Sequence, residues 1–482
     1  MLITITFIII PHIISQTNNL HTKGEEIINI NNRREIFVDY FLIDKLINAE
    51  LKINTPHPRE CVLKFDKPWE GKYSGYVTLI KDGNLYRLYY RGLPTSGKDG
   101  STNEVTCYAE SFDGINFTKP DLGIYSVMGT KNNNVILAND PPFSHNFAPF
   151  LDTKPGIPAS ERYKAIAGTF DSGLYAFVSD DGIHWEKMCN EPILKGYEFD
   201  SLNVAFWSDS ENKYVLYFRT WNGPENKYRW ISKTTSGDFI HWEKPTVMEK
   251  GKAPWEHIYT NQTLPYFRAP QIYISLCGRF VPGCNALEEE ELTSLNVEKD
   301  YAYDCSDVIL MSSRGGNIYN RIFLEAFLKP EPGPENWVSR ANFPVRGIVQ
   351  ANEYEMAIYI QKHYALPSGH IQRYTLRLDA FTSISAGFNE GYIYTKPFRF
   401  SGKQISLNFA TSATGYVLIE IQDEKGNTIL PFSYENCIPL KGNKIEKVIK
   451  WKDKKDILCL DSRTIRLCFK MKDAEIYSIN FN

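Results

Sequence analysis

The sequence predicts an all-β protein, a five-bladed β-propeller followed by a C-terminal β-sandwich. Three observations lead to this fold class. A short hairpin pattern recurs along the chain, aromatic residues make up 14% of its 482 residues, and short apolar runs alternate with turn residues. Tyrosine, phenylalanine and tryptophan favour half-buried strands, so the composition fits a protein made of many sheets.

The recurring hairpin pattern combines a serine, an aspartate turn and an aromatic residue. It reads SFDGINF at Ser111–Phe117, SDDGIHW at Ser179–Trp185 and, without the glycine, SGDFIHW at Ser236–Trp242. A worn fourth copy, SSRGG, stands at Ser312–Gly316. Asp-Gly supplies the positive φ values of a tight turn between two strands. A hairpin that returns at long intervals predicts a radial array of sheets.

The chain divides into four predicted segments. We expect an export signal at residues 1–16, a connecting segment at 17–58, the propeller at 59–386 and the sandwich at 387–482. Met1–Ile14 is a short apolar run broken by Pro11, which favours an export signal over a membrane-spanning helix. An unprocessed leader from a misplaced start codon is the alternative. The protein is therefore expected in the periplasm or outside the cell, without a membrane partner.

Five blades fit the spacing of the strand-like runs. The predicted first strands of the blades are Ser74–Ile80, Phe147–Asp152, Asn203–Trp207, Leu264–Phe267 and Gly347–Val349. The run Ile36–Ile43 is expected to complete the last blade. After Ala386 the pattern changes to short alternating strands, Ile405–Phe409, Val417–Gln422, Lys447–Trp451, Ile465–Phe469 and Ile476–Phe481, which predict the sandwich.

Charge and cysteine spacing exclude several function classes. The formal net charge of −3 leaves no basic stripe for nucleic acid, so no nucleic-acid partner is expected. The nine cysteines show no C-x-x-C spacing, which argues against a zinc cluster and a compact disulfide framework. We expect no cofactor and no metal site, although the sequence leaves open the alternative of a structural cation in the channel.

Polar residues ahead of the first strands are the candidates for chemistry. In a propeller these strands begin near one mouth of the channel, so the side chains before them converge on one pocket. The candidates are Trp69, Glu70, His145, Asn146, Asp200, Asn203, Asn261, Arg268, Arg346, Glu353 and Glu355. Carboxyl groups that share a pocket raise one another's pKa. Glycoside hydrolysis needs this arrangement, with one acid to protonate the leaving oxygen and one carboxylate as nucleophile or base.

The blade pattern of Gly75–Tyr90, followed by Ser-x-Asp-Gly-x-x-aromatic, resembles the five-bladed propeller glycoside hydrolases of families 32 and 43 over about residues 60–385. Family 32 adds a C-terminal β-sandwich. Where its blade-one motif ends Asp-Pro-Asn-Gly, this chain has Lys72–Ser74, with Glu70 close by. His145–Pro149 replaces the blade-two Arg-Asp-Pro, and Asp200–Asn203 stands where blade three has Glu-Cys-Pro-Asp. The resemblance implies the scaffold of a divergent member, without fructoside specificity.

The leading hypothesis is an exported glycoside hydrolase that acts on an oligosaccharide or polysaccharide. Asp200 is expected to be the general acid, Glu70 the nucleophile or base, and Glu355 a further acid. The residues expected to bind substrate are Trp69, His145, Asn146, Asn203, Asn261, Arg268, Arg346 and Glu353.

Two other hypotheses stay open. The first is a non-catalytic propeller that binds carbohydrate. The second is a sialidase-like or lyase propeller for acidic sugars, in which Arg268, Arg340 and Arg346 would hold a carboxylate.

Overall fold

The computed structural model describes residues 27–453 and 456–482, and over these residues the protein is built almost wholly of β-strands. The all-β class predicted from the sequence is confirmed. Within the described residues the helical elements are α1 (Glu289–Leu295) and 3-10 helices at Ala159–Glu161, Pro224–Asn226, Lys299–Tyr301, Pro334–Asn336 and Leu458–Leu460. The predicted export signal, residues 1–16, lies outside the described residues. No helix in the described ranges has the length and apolarity that a membrane span requires.

The strands follow one another in three runs. The first run is β1 (Ile28–Asn31), β2 (Glu35–Ile36), β3 (Ile43–Ile47) and β4 (Glu50–Ile53). The second is β5 (His57–Lys64), β6 (Gly75–Asp82), β7 (Leu85–Gly92), β8 (Val105–Ser111), β9 (Val135–Leu137), β10 (Ala148–Leu151), β11 (Tyr163–Thr169), β12 (Gly173–Ser179), β13 (Glu186–Lys187), β14 (Val204–Ser208), β15 (Lys213–Asn222), β16 (Tyr228–Ser236), β17 (Thr246–Val247), β18 (His257–Asn261), β19 (Leu264–Tyr266), β20 (Ala269–Pro282), β21 (Asp304–Ser313), β22 (Asn342–Gln350), β23 (Glu355–Lys362) and β24 (His370–Arg377). The third is β25 (Thr382–Ala386), β26 (Gly391–Thr395), β27 (Phe398–Phe400), β28 (Ile405–Asp423), β29 (Asn443–Val448) and β30 (Thr464–Phe481).

The second run of strands pairs in groups of four. Strands β10 to β13 and β14 to β17 each make one antiparallel sheet, and in the group β18 to β21 both β18 and β19 pair with β20. The other strands of this run form an eight-stranded sheet in the order β5-β24-β23-β22-β6-β7-β8-β9. Its two halves meet at one parallel pairing, Arg346 with Thr78. The sheet is therefore two antiparallel groups joined through β22 and β6.

The inner strands of these groups lie side by side around a common centre. Strand β6 packs against β10, β10 against β14, β14 against β19, β19 against β22, and β22 against β6. These contacts close a ring. Strand β14 is buried along its whole length, as expected for a strand covered on both faces. The result is a curled, propeller-like arrangement of sheets.

A buried arginine crosses the middle of this ring. Arg346 on β22 donates from Nη1 to the Pro149 carbonyl oxygen at 2.8 Å and from Nη2 to the Ala205 carbonyl oxygen at 2.7 Å. Burial lowers the pKa of Arg346 to about 10. Since Pro149 lies on β10 and Ala205 on β14, this one side chain fastens three inner strands to each other.

The recurring hairpin closes on its own serine and aspartate. Ser179 Oγ accepts the Gly182 N–H at 2.8 Å, and Asp181 Oδ1 accepts the main-chain N–H of Ile183 at 2.7 Å. Gly182 has a φ of 76°. In the copy without glycine, Phe239 takes the same left-handed conformation with a φ of 72°. The motif is thus a local turn that links neighbouring strands.

The strand that completes the last group of four is β5, so the expectation for Ile36–Ile43 is wrong. Strand β5 pairs with β24, with Lys64 opposite His370. Strands β2 and β3 pair instead with β30 and β26. The physical reason is burial, because Phe37, Leu42 and Ile43 lie in the hydrophobic core of the C-terminal strands.

The first and third runs of strands form one ten-stranded sheet. Its two long strands, β28 and β30, pair along most of their length with a register shift between Thr411 and Tyr416. Strands β2, β25, β26 and β27 pair with different parts of β30. The sheet has its own core, in which Phe432, Trp451 and Phe469 are buried.

Candidate active site

Asp200 lies in the loop before β14, at the end of the ring where the inner strands begin, which we call the mouth. Two buried amides hold this loop. Asn146 Nδ2 donates to the Ser201 carbonyl oxygen at 2.9 Å, and Asn203 Nδ2 donates to the carbonyl oxygens of Phe199 and Ser201 at 3.0 and 3.1 Å. Asn146 and Asn203 are fully buried. These two sequence candidates therefore position Asp200.

The main-chain carbonyl of Asp200 is held by two further side chains. His145 Nε2 lies 3.0 Å from this oxygen and donates to it, because a carbonyl only accepts. The Tyr76 hydroxyl donates to the same oxygen at 3.0 Å. On the other side of the imidazole, Nδ1 lies 2.9 Å from Glu104 Oε1 and 3.2 Å from Arg91 Nη1. His145, predicted to bind substrate, thus supports the Asp200 loop through this contact.

The carboxylate of Asp200 forms an ion pair with Arg219 on β15 through Oδ2. Its other oxygen, Oδ1, is buried and has no hydrogen-bond partner among the described residues. Arg219 is 7% exposed, and its Nε and Nη1 are likewise without a partner in this part of the chain. Buried polar atoms are normally hydrogen-bonded, so these acceptors and donors are what a polar ligand would satisfy.

Three arginines gather around the ring of Tyr259 on β18. The guanidinium carbons of Arg340, Arg219 and Arg229 lie 4.9, 5.4 and 5.5 Å from the ring centroid. Attraction to the aromatic face accounts for part of this arrangement. Burial and the neighbouring Arg219 guanidinium lower the pKa of Arg229, which shows that like charges are crowded here.

Asp304 brings a second carboxyl group to the mouth from the first position of β21. Burial raises the pKa of Asp304, while the Ser339 hydroxyl and the guanidiniums of Arg340 and Arg229 act in the opposite direction. Its Oδ1 is buried without a hydrogen-bond partner in the described chain. Arg229 interacts electrostatically with Asp200 as well as with Asp304. Both carboxyl groups thus act on Arg229 without forming a salt bridge to it within the described residues.

Tyrosine side chains make up much of the wall of the mouth. Tyr73, Tyr301 and Tyr364 pack against one another with ring centroids 5.4 to 5.9 Å apart. Arg340 lies over the rings of Tyr301 and Tyr364, and Arg91 donates to the Tyr364 hydroxyl at 3.2 Å. A wall of aromatic rings with a few charged groups is typical of ligand-binding pockets.

Backbone strain coincides with the mouth. Tyr76 has a φ of 53° and Arg340 a φ of 57°, in the left-handed region that bulky residues rarely adopt. Such conformations cost on the order of 1–3 kcal/mol each and concentrate at functional sites. Tyr76 supports the Asp200 loop and Arg340 belongs to the arginine cluster, so the strain lies beside the candidate carboxyl groups.

One cluster at the mouth has the ligand atoms that a metal would need. Asp99, Glu104 and His145 each place one such atom within 4.8 Å of the others. Both ring nitrogens of His145 are engaged, Nε2 with the Asp200 carbonyl oxygen and Nδ1 with Glu104. The Arg91 guanidinium at 3.2 Å from Nδ1 would repel a cation. We therefore regard these residues as a hydrogen-bond network.

Glu70 and Trp69 are buried away from the Asp200 loop, inside the group β6 to β9. Glu70 Oε1 accepts the Tyr90 hydroxyl at 2.6 Å, and Oε2 accepts Lys119 Nζ at 2.7 Å. Trp69 Nε1 donates to Asn134 Oδ1 at 2.9 Å. Among the described residues, neither side chain hydrogen-bonds to the Asp200 loop. The structure therefore does not bring Glu70 and Asp200 together as a pair.

Glu353 and Glu355 lie at the other end of the ring. Strand β22 begins at the mouth and ends at Gln350, so the hairpin that follows it lies at the far end. Glu355 Oε2 accepts Asn352 Nδ2 at 3.0 Å, and its Oε1 lies 3.2 Å from Arg59 Nη2. These contacts explain Glu355 as part of an exposed turn.

Two other predicted binding residues also lie elsewhere. Asn261 is buried, and its Oδ1 accepts the Thr263 hydroxyl at 2.6 Å. Arg268 Nη1 lies 3.3 Å from Asp379 Oδ2, and its Nη2 lies 3.7 Å from Glu446, at the junction with the ten-stranded sheet. Arg346 fills the ring beneath the mouth, as described above.

Sequence reasoning missed Arg219, Arg229 and Asp304. A search ahead of the first strands cannot find them, because they lie at the end of a second strand or the start of a third. In an antiparallel group these positions return to the same end of the sheet as the start of the first strand. Arg91 near the end of β7 and Arg219 near the end of β15 follow this rule. The regular return of these strand ends to the mouth is the sequence signal that could have identified such residues.

No protein-family model matches the sequence, and no curated protein matches it. Among solved structures, the chain is similar to the β-1,2-mannobiose phosphorylase from Listeria innocua, with 11% identity and a TM-score of 0.45 over 68% of this chain and 98% of that one. It is also similar to an N-acetylgalactosamine deacetylase from F. plautii, with 12% identity and a TM-score of 0.43 over 69% and 96% of the two chains.

A third similar structure is a fructofuranosidase from Schwanniomyces occidentalis, with 8% identity and a TM-score of 0.38 over 89% of this chain and 98% of that one. All three matches have TM-scores below 0.5. At such identities and TM-scores no residue of the site is taken from them.

Proposed function

We propose that the protein is a glycoside hydrolase that uses Asp200 and Asp304 at the mouth of a five-bladed propeller. The observation that carries this proposal is the unlike environment of the two carboxyl groups. Asp200 is ion-paired with Arg219, whereas burial raises the pKa of Asp304. Carboxyl groups whose environments differ in this way suit the base and the acid of one reaction.

In this proposal Asp304 is the general acid and Asp200 the nucleophile or base. The proton of Asp304 passes to the glycosidic oxygen as the bond to the leaving sugar breaks. Asp200 then either bonds to the anomeric carbon or takes a proton from the attacking water. This assignment differs from the sequence-based hypothesis, because the Arg219 guanidinium beside Asp200 suits a carboxylate and not a proton donor.

The architecture behind the site is a proposal of the same kind. We count the eight-stranded sheet as two blades, which gives five with the other three groups of four. The closed ring of inner strands supports this count. We further propose that the ten-stranded sheet folds as a sandwich, since β28 and β30 shift register midway and enclose a separate core.

Export completes the proposed function, and it rests on the apolar run Met1–Ile14. The mature protein would begin near residue 17. Intact-mass measurement of protein recovered from a host that processes such signals checks this, and an unprocessed product inside the cell would contradict it.

The test of the proposed function is a pair of substitutions, Asp304→Asn and Asp200→Asn. A screen of aryl glycosides and polysaccharides first identifies a substrate by product release. We expect Asp304→Asn to lower turnover by about 10²–10⁴-fold on substrates with poor leaving groups, and much less on activated aryl glycosides. Asp200→Asn should lower turnover on both kinds, because its role does not depend on the leaving group.

The matched control is Asp171→Asn, which changes an exposed carboxylate with a 74% exposed side chain. All variants are compared by circular dichroism to confirm folding. Unchanged turnover in both site variants would contradict the proposal. Sugar binding without product release by the wild-type protein would favour the alternative of a non-catalytic carbohydrate-binding propeller.

A further inference from the structure

The arginines around Tyr259 carry more charge than the carboxylates beside them balance. Arg219 pairs with Asp200, but Arg229 and Arg340 form no salt bridge within the described residues. The other carboxyl group that acts on them is Asp304, whose pKa is raised by burial and which forms no salt bridge within the described residues. Two of the three guanidiniums around Tyr259 therefore have no counter-ion at salt-bridge distance in this part of the chain.

The same guanidiniums carry donors that are left without acceptors. The Nε atoms of Arg219, Arg229 and Arg340 and the Nη1 atom of Arg219 are buried, and none has a hydrogen-bond partner in the described parts of the chain. A buried N–H group without an acceptor is unfavourable, and a charged one more so. Arg91 Nε is likewise without a partner among the described residues, but its Nη1 and Nη2 contact His145 and the Tyr73 carbonyl oxygen.

We propose that Arg219, Arg229 and Arg340 form an oxyanion subsite, and that the ligand of the mouth brings a negatively charged group to it. Guanidiniums donate paired N–H groups in one plane and recognise carboxylates and phosphates in this way. Their shared position around Tyr259 limits how far they can move apart. The inference rests on the proposed function, because the subsite adjoins Asp200 and Asp304.

Two sources of such a group share this chemistry. One is the carboxylate of an acidic sugar within the glycan, for which the partly exposed ring of Tyr301 offers a surface for the sugar ring. The other is a free phosphate ion bound beside a neutral sugar. Each would accept the unpartnered donors, and binding measurements separate the two.

The experiment is isothermal titration calorimetry on the full-length protein. The probes are oligogalacturonides, neutral galacto-oligosaccharides of the same length, and sodium phosphate. We expect the acidic oligosaccharides to bind at least about 10-fold more tightly than the neutral ones, as expected for hydrogen bonds to a charged group. Arg229→Gln and Arg340→Gln should each remove most of this preference.

The control variant is Arg399→Gln, which makes the same charge change at an exposed position of β27. It should keep the preference, and thermal unfolding confirms that all variants fold. Phosphate binding that depends on Arg229 and Arg340, with equal binding of acidic and neutral sugars, supports the subsite and assigns it to a free ion.

Three results overturn the subsite: no binding of any anionic probe, no preference for an anion, or a preference that both arginine variants retain. Hydrolysis of neutral glycans, with no arginine-dependent binding of acidic sugars or phosphate, would overturn the subsite and leave the proposed hydrolase standing. Binding of acidic sugars that depends on these arginines, without hydrolysis of any glycan, would do the reverse.

Discussion

Two regions of the molecule contain clustered arginines, and the two clusters differ in how far their guanidiniums are paired with carboxylates. At the junction with the ten-stranded sheet, Arg314 donates to Asp39 at 2.9 Å and to Glu35 at 2.8 Å. Burial alone would lower the pKa of Arg314, but the two carboxylates raise it overall. At the mouth, burial and a second guanidinium lower the pKa of Arg229. Arg314 is paired at the junction, whereas Arg229 and Arg340 at the mouth form no salt bridge within the described residues. This is the difference that we expect between a structural cluster and one that binds a ligand.

The largest effect on stability that we expect comes from breaking the junction. Arg314→Met should lower the free energy of unfolding by about 3–5 kcal/mol, because it leaves Glu35 and Asp39 buried without a counter-charge. Both carboxylates are at most 5% exposed. Urea denaturation measures the change. A loss below about 1 kcal/mol, the value of an exposed pair, would contradict the comparison.

The opposite sign is expected at the mouth. Arg229→Met should raise the free energy of unfolding by about 0.5–2 kcal/mol, as substitutions that relieve a strained functional site often do. It removes a buried unpartnered donor and one of three crowded charges. The same denaturation series checks it, with Arg399→Met as the exposed control. A clear loss of stability would show that Arg229 is structural.

The prediction with the smallest effect at neutral pH concerns acid sensitivity near the mouth. Burial and the neighbouring His370 lower the pKa of His363 to about 4, from an ordinary value near 6.5. Between pH 6.5 and 4 the unfolded chain therefore binds more protons than the folded one, and stability falls as the pH falls. His363→Gln should flatten this part of the profile. Thermal unfolding at several pH values measures it, and an unchanged slope would exclude His363.

The sequence could predict features that depend on neighbouring residues alone, and features that follow from the ring arrangement of the inner strands. Ser179 and Asp181 close their turn within four residues, so the hairpin repeat was visible without any tertiary contact. The Asp200 loop was predictable because inner strands share one mouth. Glu70 stands equally near its strand, yet its side chain turns inward to Lys119, a partner 49 residues away. Only tertiary packing decides such an orientation.

Asp304 shows a second limit of sequence reasoning. It follows the long insertion that contains α1, and its place beside Arg229 results from the pairing of β21 with β20 across the sheet. Burial raises its pKa, and the residues that act in the opposite direction, Ser339, Arg340 and Arg229, lie elsewhere in the chain. Asp304 could therefore be proposed as the second acid only from the structure.

The arginine that spans the centre of the ring affects whether a glycan can pass along the axis of the ring. Arg346 reaches from β22 to carbonyl oxygens on β10 and β14, so the axis of the ring is filled by a side chain and its hydrogen bonds. A glycan chain cannot be threaded along this axis as through a tunnel. We therefore expect a ligand that enters beside Asp200 and Arg340 to leave by the same opening.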